Sequence, residues 1–218
     1  AGARRVYLVE EPMAAGIGAG MPIVEPTASM VVDIGGGTTE VAIMSLADIA
    51  TCESVRVAGD DFDEAIIQHM KKTYNLTIGE QTSERIKIEI GSAAKVGDDV
   101  KLDVRGRDNT TGLPRKLEVT SKEIRGALQG PVKSIVAAVK RTLERAEPEL
   151  AADLVDNGIT LVGGGALLRG LDVVIKQDTG LDVVIADDPL TCVARGTSIY
   201  LDNLEEWKTT MDSDMDDL

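Results

Sequence analysis

Aromatic side chains are nearly missing: among 218 residues only Tyr7, Phe62, Tyr74, Tyr200 and Trp207 carry one. Recognition of unpaired bases needs stacking platforms, and this chain has little to build them from. Its charge points the same way, with 23 Lys and Arg against 37 Asp and Glu and a net −14, a balance that repels phosphate backbones and anionic lipid. No nucleic-acid partner is expected. Cysteine is scarce too. Cys52 and Cys192 stand far apart with no Cys or His at ligand spacing, which argues against a disulfide framework and a zinc cluster. Both read as small buried hydrophobes in a reducing compartment. No run nears the roughly 18 apolar residues of a membrane-spanning helix, and no charged-then-apolar leader opens the chain, so the expected location is the cytoplasm.

What is present is ordinary globular material, 43% hydrophobic and 28% charged, enough for a core of Val, Ile, Leu and Ala. The chain opens on Ala-Gly-Ala-Arg-Arg and enters a strand-like run, Val6 to Glu10, with no initiator Met; this predicts a piece of a longer protein. Pro12 to Met21 reads as a small-residue helix ended by Pro22, in which Gly16 is a poor helix former. Two apolar runs, Met30–Ile34 and Val41–Met44, flank Gly35-Gly36-Gly37-Thr38-Thr39 and predict strands joined by a glycine turn. A third strand is expected near Glu53 to Val57.

From Asp60 the period changes. Phe62, Ile66, Met70 and Tyr74 recur every four residues as one stripe of an amphipathic helix, and the lone histidine, His69, sits on its flank as a solvent-edge residue. A helix follows over Thr82 to Ile90, then alternating strands at Val100–Val104 and Leu117–Val119 form a solvated hairpin. Thr120 to Glu123 is a capping box opening a helix, and Gly130-Pro131 is expected to start another. Gly158 to Val162 returns to a buried-strand pattern ending in Gly163-Gly164-Gly165; a short helix, a strand at Val183–Ile185 and a helix over Pro189 to Leu204 complete the order. This order predicts an α/β fold: a core of residues 1–75 and 129–204, a small α+β insert at 76–128, and an acidic tail at 205–218.

Two glycine clusters follow apolar strands. Glycine at a strand end lets backbone N–H groups close on phosphate oxygens, because no Cβ blocks the approach. Neither cluster has P-loop or dinucleotide spacing, and either alone could be a plain turn. The combination carries more: Asp33 can hold Mg²⁺ through water, and Thr38 and Thr39 offer hydroxyls beside a phosphate. The alternative is that Asp33 caps the turn and the threonines are ordinary strand residues.

These residues carry a resemblance. Asp33 to Val41 is similar to the second phosphate loop of the actin, DnaK-chaperone and sugar-kinase superfamily, Val162 to Leu168 to its adenosine loop, and Glu10 to Ala15 to its first connecting helix. More closely, Glu10–Ala15, Gly79–Lys87, Val104–Asp108 with Thr111–Pro114, and Asp188–Thr197 resemble the MreB family of bacterial actins. The resemblance runs from Tyr7 to Leu204 and implies the C-terminal lobe of an actin-like ATPase. It implies ATP and Mg²⁺ as ligands, Glu11 orienting the attacking water, Thr38 assisting at the γ-phosphate, and Asp33 acting on the hydrated Mg²⁺. Gly35, Gly36 and Gly37 would give amides to phosphate, with Thr39 beside them. Glu84 and Lys87 would meet ribose and adenine, and Gly163, Gly164, Gly165 and Ala166 would pass under the base.

Elementary chemistry is compatible with these roles. A carboxylate at a helix start can position water, and Glu84 and Lys87, three apart, share one helix face, although a surface ion pair would use the same spacing. The resemblance further implies head-to-tail self-assembly into cell-shape filaments, membrane-anchored morphogenesis and cell-wall synthesis proteins as partners, and a place at the inner face of the membrane, without membrane contact by this piece itself. Slow ATP hydrolysis is expected of the full-length protein and none of this piece alone. A chaperone-type ATPase lobe and a sugar or acid kinase of the same superfamily are the alternatives. The acidic tail and Trp207 match nothing in the family pattern.

Overall fold

A computed structural model describes residue 2 and residues 5–204. Its centre is β1 (Ser29–Ile34), buried at every position, as a continuous apolar run requires when both sheet faces are covered. β2 (Thr39–Ser45) and β3 (Asp48–Val55) continue from it as an antiparallel meander; β7 (Ile159–Val162) pairs parallel on the other side of β1, and β8 (Val183–Ile185) parallel on β7. A second, antiparallel sheet in the order β4 (Leu76–Thr77), β5 (Lys101–Asp108), β6 (Pro114–Thr120) stands apart.

Strand alternation divides the core between the two faces of the main sheet. Met30, Val32, Ile34, Val41 and Ile43 join a large cluster with α2 (Gly59–Tyr74), α3 (Glu80–Ile90), α4 (Ser121–Arg145), α6 (Leu171–Thr179) and the inner residues Val104 and Val119 of the small sheet. Val31, Ala42, Met44 and Val162 face a second cluster under α1 (Glu11–Gly18) and α7 (Cys192–Asp202). These two helices cross with backbones almost touching. A Cβ on Gly18 would lie 1.8 Å from the Cys192 carbonyl oxygen, and one on Gly196 1.8 Å from that of Ala14. Gly16, which local propensity disfavours, is explained by the same packing: its Cβ would meet Met44 Cε at 2.8 Å.

Several expectations are corrected. Val6 to Glu10 forms no strand; no described strand pairs with it, and Val6 and Leu8 are exposed while Tyr7 and Val9 pack on the α1/α7 side. Pro131 does not begin a new helix, because α4 runs unbroken through it; its Ile124, Leu128, Val132, Ile135 and Val139 form one buried stripe, whose burial outweighs the hydrogen bond that proline forfeits. The Thr120–Glu123 capping box forms, with Glu123 also accepting from the Tyr74 hydroxyl. β3 starts at Asp48, ahead of the expected Glu53, α1 ends at Gly18 rather than Met21, and Pro189–Thr191 is a 3-10 turn before α7. β4 and α5 (Pro148–Asn157) were not legible beforehand. Cys52 is exposed on edge strand β3, whereas Cys192 is buried. His69 is half-buried against the Tyr74 ring. The tail at 205–218, with Trp207, lies outside the described residues. Among the described residues no helix is long and apolar enough to cross a membrane.

The α1/α7 crossing leaves no room for a methyl group. Gly196→Ala is expected to lower stability by about 3 kcal/mol, the upper part of the overpacking range, and to drop the thermal midpoint by roughly 6–12 °C for a domain of this size; thermal denaturation followed by circular dichroism measures it.

Candidate functional site

The parallel register sets Asp33 beside Val162, so both glycine clusters leave the sheet at the same end of adjacent strands. Carboxyl ends of parallel strands, where chain directions diverge, are where α/β sheets bind ligands. Here a cleft of about 680 Å³ opens.

One wall is the β1–β2 turn. The Gly35 amide donates to the Thr38 carbonyl at 3.0 Å, while the Gly35 and Gly36 carbonyls accept from the amides of Gly59 and Asp60 at 3.1 and 2.8 Å, which ties the N-terminus of α2 to the turn. The opposite wall begins at Gly163, with φ +80°, where a Cβ would stand 2.4 Å from the Ile34 carbonyl oxygen and 2.5 Å from Asp33 Oδ1. Only glycine fits there. Gly164, Gly165, Leu167, Leu168, Arg169, Pro189, Leu190 and Val193 continue that wall, and Glu84, Lys87 and Ile88 from α3 close the far side.

Asp33 is the electrostatic centre. Alternation along β1 turns it toward α1, and Glu11, the first residue of α1, lines the same cleft. Asp33 is 5% exposed and its Oδ2 is buried with no hydrogen-bond partner among the described residues. Burial first, then the charges of Glu11 and Glu40, raise its pKa to about 6. Burial likewise pushes the Cys192 thiol up, against the opposing pull of Arg195.

Of the residues singled out from sequence, Glu11, Asp33, Gly35, Gly36, Glu84, Lys87, Gly163, Gly164 and Gly165 line one cleft. Gly37 and Thr38 are exposed at the turn above it. Thr39 and Ala166 are buried behind the wall, and the Thr39 hydroxyl donates to the Val57 carbonyl at 2.7 Å. The alternative ion pair between Glu84 and Lys87 does not form. Lys87 Nζ instead sits 2.7 Å from Asp63 Oδ2 and 3.3 Å from the Gly59 carbonyl oxygen, and burial keeps the Asp63 carboxyl above its usual range despite that cation. Asp60, Asp63 and Arg169 are cleft residues that sequence reasoning missed. Asp60 and Asp63 were legible only as helix-start acids, and nothing local marks Arg169, whose guanidinium caps the end of α3 through the Glu89 and Gly91 carbonyls.

The model of the MreB/Mbl protein family matches residues 1–209. The chain belongs to the MreB/Mbl family. Among its relatives in that family, the cell shape-determining protein MreB of Escherichia coli (strain K12) is 55% identical over 206 residues, 94% of this chain and 59% of that protein. The cell shape-determining protein Mbl of Bacillus subtilis (strain 168) is 47% identical over 205 residues, 94% of this chain and 62% of that one. The chain thus spans about three fifths of the length of these relatives. In three dimensions it matches MreB5 of Spiroplasma citri bound to AMPPNP with a TM-score of 0.91 at 40% identity, covering 94% of this chain and 62% of that one. A MamK double helical filament matches at 0.73 and 22% identity, covering 89% and 59%, and speaks for the fold alone. The fold is actin-like.

A carboxylate whose pKa is higher in the folded than in the unfolded chain binds the extra proton in the folded state. Stability therefore falls as pH rises from about 4 to about 6, and the full penalty stands above that. Asp33→Asn is expected to stabilise the free chain at pH 7.5 by up to about 3 kcal/mol, with the gain vanishing toward pH 4; urea unfolding at the two pH values checks both the sign and the window.

Proposed function

We propose that this chain is one lobe of an ATP-binding bacterial actin that polymerises into cytoskeletal filaments controlling cell shape. The observation that carries the proposal is the convergence of two strand-end glycine clusters, a helix-start carboxylate and the Glu84/Lys87 face on one cleft, with a buried, unpartnered Asp33 oxygen inside it. Family membership and the AMPPNP-bound relative support it.

The residues present fit Mg-ATP. Turn amides at Gly36 and Gly37 suit phosphate oxygens, that of Gly35 being spent on the Thr38 carbonyl; Gly163, Gly164 and Gly165 would pass under the base, whose flat face suits the apolar side chains of Leu167, Ile88 and Leu190. The lone oxygen of Asp33 suits a water on a hydrated cation; Mg²⁺ keeps several waters and is commonly held by one or two carboxylates with substrate phosphates. Bound there, the metal would neutralise phosphate charge. Glu11, at the start of α1, would orient the attacking water by accepting its hydrogen bond, and Thr38, exposed at the turn, would assist at the γ-phosphate. Glu84 and Lys87 would address the ribose and base, Lys87 held by Asp63.

A division into a core of residues 1–75 and 129–204 and an insert at 76–128 belongs to the same proposal. So do slow hydrolysis by the complete protein, head-to-tail assembly, contacts to membrane-anchored morphogenesis and cell-wall synthesis proteins, and a position at the inner face of the membrane. A chaperone-type lobe and a sugar or acid kinase are less well supported, since the relatives bear the name of cell shape-determining proteins.

As one lobe of a two-lobed ATPase this chain would supply only part of the phosphate cradle, so isothermal titration of this chain with Mg-ATP should give weak binding and a phosphate-release assay no turnover; tight binding would contradict that reading. In a complete protein carrying this lobe, Glu11→Ala should retain nucleotide while slowing phosphate release by roughly 100-fold or more, the lower range for loss of a general base. An unchanged release rate would remove Glu11 from the role.

A further inference from the structure

Two features of the sequence have no role in the proposed nucleotide site. Segment 205–218, Glu-Glu-Trp-Lys-Thr-Thr-Met-Asp-Ser-Asp-Met-Asp-Asp-Leu, sets six acids against one Lys and spaces Trp207, Met211, Met215 and Leu218 three or four residues apart. Its last nine residues fall beyond the family match. The other feature is the β5–β6 hairpin, which contributes nothing to the cleft lining.

Alternation along β5 turns Lys101, Asp103, Arg105 and Arg107 outward. Lys101 pairs with Glu118 and Lys116 with Asp103, each at 2.6 Å. Arg105 and Arg107 have no hydrogen-bond or ion-pair partner among the described residues. In register Arg105 stands across from Lys116 and Arg107 across from Pro114, and like charges directly opposite weaken a strand pair. Asp108, the nearest acid in sequence, is engaged by Arg115 and by the amides of Thr110 and Thr111. Leu113 at the hairpin tip is 64% exposed. β4 pairs with β5 only at Arg107 and Asp108, so Arg107 lies between two strands, where edge protection does not account for it, while Arg105 lies on an open edge. Among the described residues the hairpin therefore presents two unpaired guanidinium groups on its outward face, with the bare Leu113 at the tip beside them in the chain rather than on the same strand face, on a chain of net charge −14.

We propose that this face docks the acidic segment 205–218 of a second copy of the chain. Guanidinium forks take carboxylates in bidentate fashion, and an anchor such as Trp207 gains by covering exposed apolar surface like Leu113. A second copy is favoured over the same one by the layering of the fold. Helix α7, from which the segment departs, packs on one face of the main sheet, whereas the hairpin is built on the cluster of the opposite face. The start of a copy's own segment and its own hairpin thus lie on opposite faces of the main sheet. Such a contact is heterologous and need not close, so it propagates along a row of subunits.

Trp207 is the single tryptophan, so its emission reports the contact in the whole chain without a label. Emission is expected to shift to the blue as protein concentration rises at low salt, and the shift should disappear near 0.5 M salt, where exposed charges are screened. Arg105→Glu with Arg107→Glu should move the midpoint at least fivefold to higher concentration, and Arg105→Gln with Arg107→Gln should reproduce most of that, with circular dichroism confirming the fold of each. Adding excess Trp207→Phe chain, which supplies intact arginines but no signal, should restore the blue shift of the doubly substituted protein. Emission that is independent of concentration, a shift insensitive to salt, or equal midpoints with and without the arginines would overturn the proposal. So would capture of the chain on phosphatidylglycerol vesicles through the same arginines at concentrations where Trp207 does not respond, since the face would then belong to a membrane.

Discussion

The parallel pairing of β1 with β7 is the constraint on which the rest depends. A register that sets Asp33 opposite Val162 brings two glycine turns, far apart in sequence, to the same end of one sheet, where glycines of both line one cleft. Shifting that register by one residue would turn Asp33 to the opposite face, away from α1 and Glu11. The glycines answer to this closeness. At Gly163 a side chain would overlap both the Ile34 carbonyl and the Asp33 carboxylate, so the same atoms that bring the strands together demand the residue without a Cβ.

Holding Asp33 there is unfavourable in the free chain. Its carboxylate is buried beside two other acids and one of its oxygens has no partner among the described residues, a condition that destabilises a fold unless a ligand relieves it. Sites of this kind mark function because the fold tolerates the loss for what the group does when occupied. The surroundings are correspondingly stiff, with α1 and α7 locked at their crossing and α2 anchored to the carbonyls of the glycine turn.

Much of the fold was legible because apolar periodicity reports burial directly. The β1–β2 turn, the Phe62 stripe, the alternating hairpin and the capping box at Thr120 all appear where local pattern places them. Misreadings cluster where a distant contact overrides a local preference. Pro131 predicted a helix start, yet the apolar stripe on either side carries α4 through it. Val6 to Glu10 has strand composition but no described neighbour to pair with. Gly16 reads as a weak helix residue until Met44 is seen filling the space a methyl group would need. The Lys87 partner was sought three residues away on its own helix and lies instead on α2, at Asp63.

The sequence by itself marked the candidates for facing phosphate and cation, through glycine, carboxylate and hydroxyl grouped at a strand end and through the family resemblance those residues carry, and the periods of its apolar residues determined most of the elements. Only the tertiary structure decided that these pieces form one cleft, that Asp33 is buried there with an oxygen left over, that Thr39 spends its hydroxyl on Val57, and that Arg105 and Arg107 find no partner among the described residues. Each of these depends on strand register and on helix crossings between segments distant in the chain, and such contacts leave no periodic trace in the residues that make them.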